Sequence, residues 1–580
     1  MTLALASSAH GAKVKDTHFS HDRGFYTEPI AVEISSKTEA AAIYYTTDGS
    51  APEPGNGSRY ESPIEITRTT VLRAAAFKDG LDPTNVDTQT YVFAESVAAQ
   101  TGNSFSQTWG EREGKPVVAD YAMDPDITGS NVYRERLVPA LTSLPVVSLA
   151  LDPGDWLDPA QGIYTNTMES GVDWERSASA EMIFPVPDDE QEPLQKQKTT
   201  PEKNCQVDCG LRIQGGWNRS PEESPKHSLR LLFKKKYGAG KWKQPLFPSS
   251  SQPPEADLQK QQKEIESFNT LILRGGNNNT WLHWSGEERK RGDYVRDQWM
   301  RDTFAAMGQV SARGRYVHLF INGLYWGLYN LAERPDAAFL ASHFGKDPDD
   351  YDSRNGDKII SGDDVAWNQL MEIVNAGITT NEAYAQVAER LDLTNFADFI
   401  LLNLYGANAD YDHASNWYAG RRRKAGEKYR FYIWDGERTN ESADNNTIDY
   451  DVDQSPPRIF QKLRSRPEFR LLLAERARLH CSGNGALSPQ ASTNRFAFRA
   501  REIEQAIVAE AARWGDYRRD VDSYKTGPFE LYTPDDFWQV EIERLKKDYF
   551  PIRTERLIDQ LRAAGLDPGI DPPQTNKSEK

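Results

Sequence analysis

The chain has 580 residues, 86 of them acidic and 69 basic, for a formal net charge of −17. That length exceeds one small core, so two or three domains are expected, and the negative balance argues against electrostatic steering onto a nucleic-acid backbone. Hydrophobic residues make up 38%, with 14 Trp, 25 Tyr and 23 Phe, enough for aromatic-rich cores, while no stretch approaches the roughly 20 apolar residues that cross a bilayer.

The opening MTLALASSAHGAKV has a short apolar run and small residues but no basic leader, and reads either as the remnant of an export signal or as an arbitrary start. With 1–16 as a tail, residues 17–95 form an all-β unit. The runs PIAVEIS, AAIYYTTDG, PIEITRTTVLRAAAF and TQTYVF alternate, and DGSAPEPGNGS and KDGLDP supply turns. Short strands at this spacing predict a small sandwich. Its Tyr44, Tyr45 and Tyr60 serve either as sugar-stacking faces or as sheet packing. A polar connector, 96–140, across which few contacts should pass, precedes the β-branched run LPVVSLALD.

The stretches 186–204 and 249–263 are rich in Pro, Gln, Lys, Glu and Ser and read as surface insertions. The three cysteines are too few for a disulfide framework. Cys205 and Cys209 either close a small loop or remain thiols.

From 207 the elements follow one another closely. VDCGLRIQGGWNRS is a strand ending in Gly215 and Gly216, and PKHSLRLLF is a second strand with Lys226 at its start and Arg230 within it. FNTLILRGG is a third strand and DYVRDQWMRDTFAAMG a helix stopped by Gly308. RYVHLFING and LYWGLYNLAE are joined by an Asn-Gly turn. The sum is a twisted antiparallel sheet with one helix on it. After Glu333 the pattern becomes helical until NADYDHASNWYAG and KYRFYIWDGE, a polar loop and a hairpin ending in Asp435. Residues 456–568 repeat apolar positions at three and four and read as a helical extension of the second lobe; 569–580 is a tail.

This order of parts is that of a protein-kinase-like fold. Phosphoryl transfer from a nucleoside triphosphate needs divalent metal held by oxygen ligands, which Asn416 and Asp435 could supply, and a carboxylate to accept or orient the hydroxyl proton. Asp410 stands six and Asp412 four residues before Asn416, either side of the usual spacing of about five, so both are candidate bases. An Asn and Asp cluster after a helix also serves as turn and cap chemistry.

The stretch IYYTTDGSAPEPGNGSRYESPIEITRTTVLRAAAFKDGLDPTNVDTQTYVF resembles the chitobiase C-terminal-like, fibronectin-type-III-associated module of exported bacterial proteins. LRIQGGWNRSPEESPKHSLRLLF, DYVRDQWMRDTFAAMG, HLFINGLYWGLYNLAERPDAAFL and FYIWDGE together resemble the spore coat protein H (CotH) kinase-like family. The resemblance implies a small β-sandwich followed, over 141–455, by an α+β, atypical kinase-like, two-lobed domain that uses ATP and Mg²⁺ or Mn²⁺ to phosphorylate Ser or Thr hydroxyls of a secreted or surface protein. It implies that Lys226, or Arg230 in its place, contacts phosphates beside Gly215 and Gly216, that Asp297 stands in for the helix carboxylate that pairs with the lysine, and that Glu333 helps seat the nucleotide. No Gly-x-Gly-x-x-Gly loop is present and the usual helix Glu is missing. The alternatives are an inactive surface-binding protein whose β-module holds glycan, or another ATP-dependent transfer, of a nucleotidyl group or onto a sugar.

Overall fold

The computed structural model describes residues 12–102, 105–185, 202–248, 252–253 and 265–570. The expectations for the first residues, most of the two insertions and the last ten residues lie outside these ranges.

The N-terminal unit is β-rich. Gly24–Phe25, Asp87–Val92, Thr70–Phe77, Ala42–Thr46 and Ser58–Arg59 form one five-stranded sheet in that order. Two short ladders, Thr17–Phe19 with Ile34–Ser36 and Ile30–Val32 with Ile64–Ile66, accompany it. Phe19, Val32, Ile34, Ile66, Leu72 and Tyr91 fill its core.

The central strands close into a barrel rather than the open sheet expected from the sequence. They are β1 (Val146–Ala150), β2 (Arg176–Ile183), β3 (Cys205–Gln214), β4 (Ser228–Leu232), β5 (Thr270–Arg274), β6 (Gly314–Ile321) and β7 (Leu324–Glu333), in the order β1-β2-β3-β4-β5-β7-β6. Closure comes from the parallel pairing of β1 with β6, a contact that no local pattern announces. Val147, Met182, Leu211, Leu231, Leu273 and Leu319 pack among the barrel's apolar residues. Helix α1 (Arg296–Ala306) joins β5 to β6, and Asn322 and Gly323, both at positive φ, make the tight turn between β6 and β7.

Beyond β7 come α2 (Ala337–Phe344), β8 (Tyr351–Asn355), β9 (Lys358–Ser361), α3 (Val365–Ala376), α4 (Asn381–Arg390), α5 (Leu393–Gly406), β10 (Trp417–Arg422) and β11 (Arg430–Ile433). The β10–β11 hairpin forms as its alternation predicts, but within a four-stranded sheet ordered β9-β8-β10-β11. The sequence YDSRNGDKIIS, too polar to stand out as strands, supplies the other two. Ile272 of β5 packs with Phe339, Leu340, Tyr418, Tyr432 and Trp434, tying barrel to sheet.

The C-terminal segment is helical, with α6 (Pro456–Leu463) and α7 (Pro467–Cys481) separated at Pro467, α8 (Pro489–Ile503), α9 (Ile507–Trp514) and α10 (Phe550–Ala563). It does not extend one lobe alone. α8 and α10 pack with α1 and α5 in one core, whereas α9 lies on β7, where Trp514 Nε1 donates to the Trp326 carbonyl at 2.8 Å.

The connector is also packed, contrary to its polar composition. Trp109 and Tyr121 sit in the barrel-side core with Trp326 and Trp514, and Met123, Ile127 and Leu137 join the helical core. The β-unit is docked as well. Glu181 of β2, fully buried, accepts the Thr90 N–H at 3.1 Å and the Thr90 hydroxyl, and lies 3.3 Å from Arg23 Nε. Gly49 approaches so closely that a Cβ would meet Asn322 Oδ1 at 2.2 Å.

Cys205 and Cys209 are both free thiols on β3. Four residues apart along one strand, their Cα atoms are separated by roughly 13 Å, too far for a disulfide.

Candidate functional site

A cleft of about 560 Å³ opens between the barrel and the four-stranded sheet. The barrel side contributes Gly215, Gly216, Arg230 and Arg274, and the far side contributes Asp410, Asn416 and Asp435. The loop read as catalytic from the sequence and the glycine pair thus face one cavity.

On the far side α5 ends at Ala407, which takes the left-handed conformation at φ 46° and turns the chain. Asn408 Oδ1 accepts the Asp410 N–H at 3.0 Å, and Asn416 Nδ2 donates to the Asp410 carbonyl at 3.1 Å. These local bonds are the turn chemistry that Asn and Asp provide, and they fix Asn416 beside Asp410. Burial pushes the Asp410 carboxyl above its usual range, with Arg438 and His413 pulling the other way. Asp412 is not among the residues lining the cleft, and its Oδ1 is buried without a hydrogen-bond partner. His413 Nδ1 lies 3.5 Å from Asp410 and 3.4 Å from Asp412.

Asp435 follows β11 at φ 58°, a left-handed position that Asp tolerates better than most residues. Its Oδ1 accepts from Arg274 Nη2 at 2.5 Å, and the same nitrogen donates to Glu437 Oε1 at 2.8 Å. Arg274 Nε pairs with Asp297 Oδ2 at 3.1 Å, while Asp297 Oδ1 accepts the Gly436 N–H at 2.9 Å. Burial opposes ionisation of Asp297, yet Arg274 and Arg301 hold its carboxyl below the usual range. Burial pushes the Glu437 carboxyl up, and Asn277 and Asn278 donate their N–H groups to its Oε2.

The expected partner of Asp297 was Lys226, and the structure places that lysine elsewhere. Lys226 is buried below β4, donates to Glu510 Oε1 of α9 at 2.5 Å and to the Leu328 carbonyl at 2.6 Å, and does not line the cleft. The cations beside Asp297 are Arg301, one turn along α1 at 3.0 Å, and Arg274, at the end of β5. LILRGG was legible as a strand, but nothing local marks its arginine as the one that meets three carboxylates.

Glu333 is likewise engaged away from the cleft. It receives Arg313 Nε at 2.9 Å and Nη2 at 2.8 Å, so although burial opposes ionisation, Arg313 keeps it a carboxylate. Its neighbour Arg334 does line the cleft.

Arg230 has Gln214 Oε1 as its hydrogen-bond partner and no carboxylate partner among the described residues. Burial first, and Arg334 second, lower its guanidinium to about 9. Arg334 donates to the Tyr418 hydroxyl at 3.1 Å and lies 3.7 Å from Asp336. Against burial, Tyr418 and Asp336 keep the Arg334 guanidinium above its ordinary value, whereas Arg230, with no carboxylate partner among the described residues, is costly to bury unless an anion joins it.

Among the described residues no group of three or more His, Cys, Asp or Glu side chains is arranged to hold a metal. One carboxylate and one carboxamide instead match a magnesium-type ion that takes its remaining ligands from phosphate and water. In the β-unit, Tyr44 packs edge-on against Phe77, and Tyr45 and Tyr60 lie on the module core, the packing use of these rings. No described helix is long and apolar enough to cross a membrane.

No curated protein matches the chain. Residues 21–88 match the family model of the chitobiase/beta-hexosaminidase C-terminal domain. Residues 211–550 match the family model of the CotH kinase protein, a span that begins in β3 and ends at the start of α10. With more than half of its 580 residues inside that match, the chain belongs to the CotH kinase protein family.

Proposed function

We propose that the cleft binds ATP with Mg²⁺ or Mn²⁺ and that the protein transfers the terminal phosphoryl group to Ser or Thr hydroxyls of a secreted or surface protein. The barrel and the helix-rich remainder act in this reading as the two lobes of an atypical kinase-like domain. The observation that carries it is the meeting of Asp410, Asn416 and Asp435 with Arg230, a guanidinium without a carboxylate partner among the described residues, in one cleft. Asp435 and the Asn416 carboxamide oxygen would hold the metal, which supplies charge neutralisation of the phosphates. Arg230 and the backbone at Gly215 and Gly216 bind phosphate oxygens. Arg274, paired with Asp297, holds Asp435 in place. Asp410 accepts or orients the proton of the acceptor hydroxyl, its raised basicity suiting that task. The match of the β-unit to a chitobiase-type domain supports surface location and a glycan contact.

A second reading, a nucleotide-free binding protein, draws on the engagement of Asp435 by Arg274. Incubation with Mg²⁺ and ATP labelled at the terminal or the α phosphate separates the readings. Terminal label on a protein acceptor is expected. Label from the α phosphate means nucleotidyl transfer, and no nucleotide binding supports the second reading.

A further inference from the structure

Trp217 is 73% exposed, and of the chain's fourteen tryptophans it is the one among the large exposed apolar side chains. It sits on the turn between β3 and β4, which is not loose. Arg219 donates to the carbonyls of Gly215 at 2.9 Å, Thr167 at 2.7 Å, Glu169 at 2.8 Å and Ile213 at 2.5 Å. Gly215, at φ 134°, admits no Cβ, which would meet Asn218 Oδ1 at 2.0 Å. A large aromatic exposed on a tied-down turn at the lip of a cleft is the form of a binding anchor.

The strand register says which end of the cleft it overhangs. Gln214, just before the turn, pairs with Ser228, whose hydroxyl accepts the Gly275 N–H at 2.9 Å, next to Arg274. Arg334 lies at the other end, one residue past the Glu333–Leu271 pair. Trp217 is therefore above the Arg274–Asp435 end, where transfer takes place in the proposed function.

The opposite lip at that end is the β8–β9 hairpin, from which Asn355, Lys358 and Ile360 line the cleft. Gly356 and Asp357 donate their N–H groups to the carbonyls of Trp417 and Ala414, both at 3.0 Å, and Asn355 Nδ2 donates to the Ser415 carbonyl at 2.7 Å. A Cβ on Gly356 would stand 1.3 Å from the Ala414 carbonyl oxygen, so only glycine permits this approach. The hairpin is thus clasped to the loop that carries Asn416. Its outer strand β9 is an edge of the four-stranded sheet, with no further strand beside it among the described residues, and Ile359 on it is 49% exposed. A free strand edge offers main-chain donors and acceptors in a row, which an extended polypeptide can pair with and a sugar cannot.

We propose that the acceptor is an extended polypeptide segment that adds to the edge of β9, with its hydroxyl residue at Asp410 and a neighbouring apolar side chain against Trp217. This rests on the phosphotransfer reading and names where, and in what conformation, its acceptor docks. The test uses the full chain with Mg-ATP and Ser-centred nonapeptides carrying Leu or Gly beside the serine, the same peptides N-methylated at alternate positions, and methyl glucoside. Trp217→Ala should raise the KM for the Leu peptides about tenfold or more with kcat within threefold, and Trp217→Phe should restore it. N-methylation should raise KM by a similar factor in the wild type. An unchanged peptide KM in Trp217→Ala, or an equal weakening of Mg-ATP binding, overturns the proposal. Transfer to methyl glucoside but to no peptide overturns it while leaving phosphotransfer intact. Failure of the wild type to bind Mg-ATP removes the phosphotransfer reading itself, and the acceptor site with it.

Discussion

Arg274 and Asp297 are joined through Nε and Oδ2 at 3.1 Å, a bond from the last residue of β5 to the first turn of α1. Through the same guanidinium Arg274 also reaches Asp435 and Glu437, so one buried cation organises the segment that carries the candidate metal ligand. Its removal leaves Glu437 buried without a cation among the described residues and Asp297 with Arg301 alone, at 3.0 Å. Arg274→Ala is expected to cost about 3–5 kcal/mol of stability, read by urea denaturation. Arg274→Lys should recover only part of that, because an ammonium cannot reproduce the fixed fork of the guanidinium.

Lys226 and Glu510 form a fully buried pair between the barrel and α9. Lys226→Met alone should destabilise by about 3–5 kcal/mol, and Lys226→Met with Glu510→Gln by clearly less. At a temperature where Lys226→Met remains folded, its affinity for Mg-ATP should match the wild type. A selective loss of nucleotide affinity would return the lysine to the phosphate-binding role first expected of it.

Asp410 and Asp412 differ in their access to the cleft. Asp410→Asn is expected to lower the transfer rate by about 10²–10⁴ with nucleotide affinity retained, while Asp412→Asn should change the rate by less than about tenfold. Single-turnover measurements at saturating Mg-ATP distinguish the two.

Asp435→Ala should abolish the Mg²⁺-dependent part of ATP-induced thermal stabilisation. Without ligand the cost should be small, about 1 kcal/mol or less, since the Asp435 side chain is 35% exposed and Arg274 keeps two other partners. Equal stabilisation by Mg-ATP in wild type and variant would show that Asp435 serves only as a turn residue.

Glu181 predicts a pH dependence for the seam between the β-unit and the barrel. Burial pushes its carboxyl up to about 7. Between about pH 4.3, where a glutamate in an unfolded chain titrates, and about 7, the folded protein holds a proton that the unfolded chain has released. Stability should therefore fall as pH rises through this window and level off above it, by an amount on the order of 3 kcal/mol. Glu181→Gln should flatten the fall in thermal unfolding curves recorded from pH 4 to 8. Deleting residues 12–93 should lower the melting temperature of the remainder, because it removes Val92 and Phe25 from the helical core.

The local pattern was enough to place most elements. Alternation marked β3 to β7, Asn322–Gly323 marked their last turn, and the β10–β11 hairpin followed from two aromatic runs, because a strand or a turn is decided by residues within about ten of each other. The order Asp410, Asn416, Asp435 was legible for the same reason: it lies within one loop and one hairpin. The polar sequences were harder. β8 and β9 have too little alternation to register as strands, and the connector's few aromatics do not reveal that they enter the core.

What tertiary structure alone decided were the pairings across long chain distances. Arg274 meets Asp435 across 161 positions and Lys226 meets Glu510 across 284. Every arginine or lysine in this region carries the same charge in the sequence, and which carboxylate it meets depends on the closure of the barrel and the docking of α9. A buried charge cannot remain uncompensated at modest cost, so the fold assigned Lys226 to Glu510 and left Arg274 to Asp297, and that assignment determines which cations face the cleft.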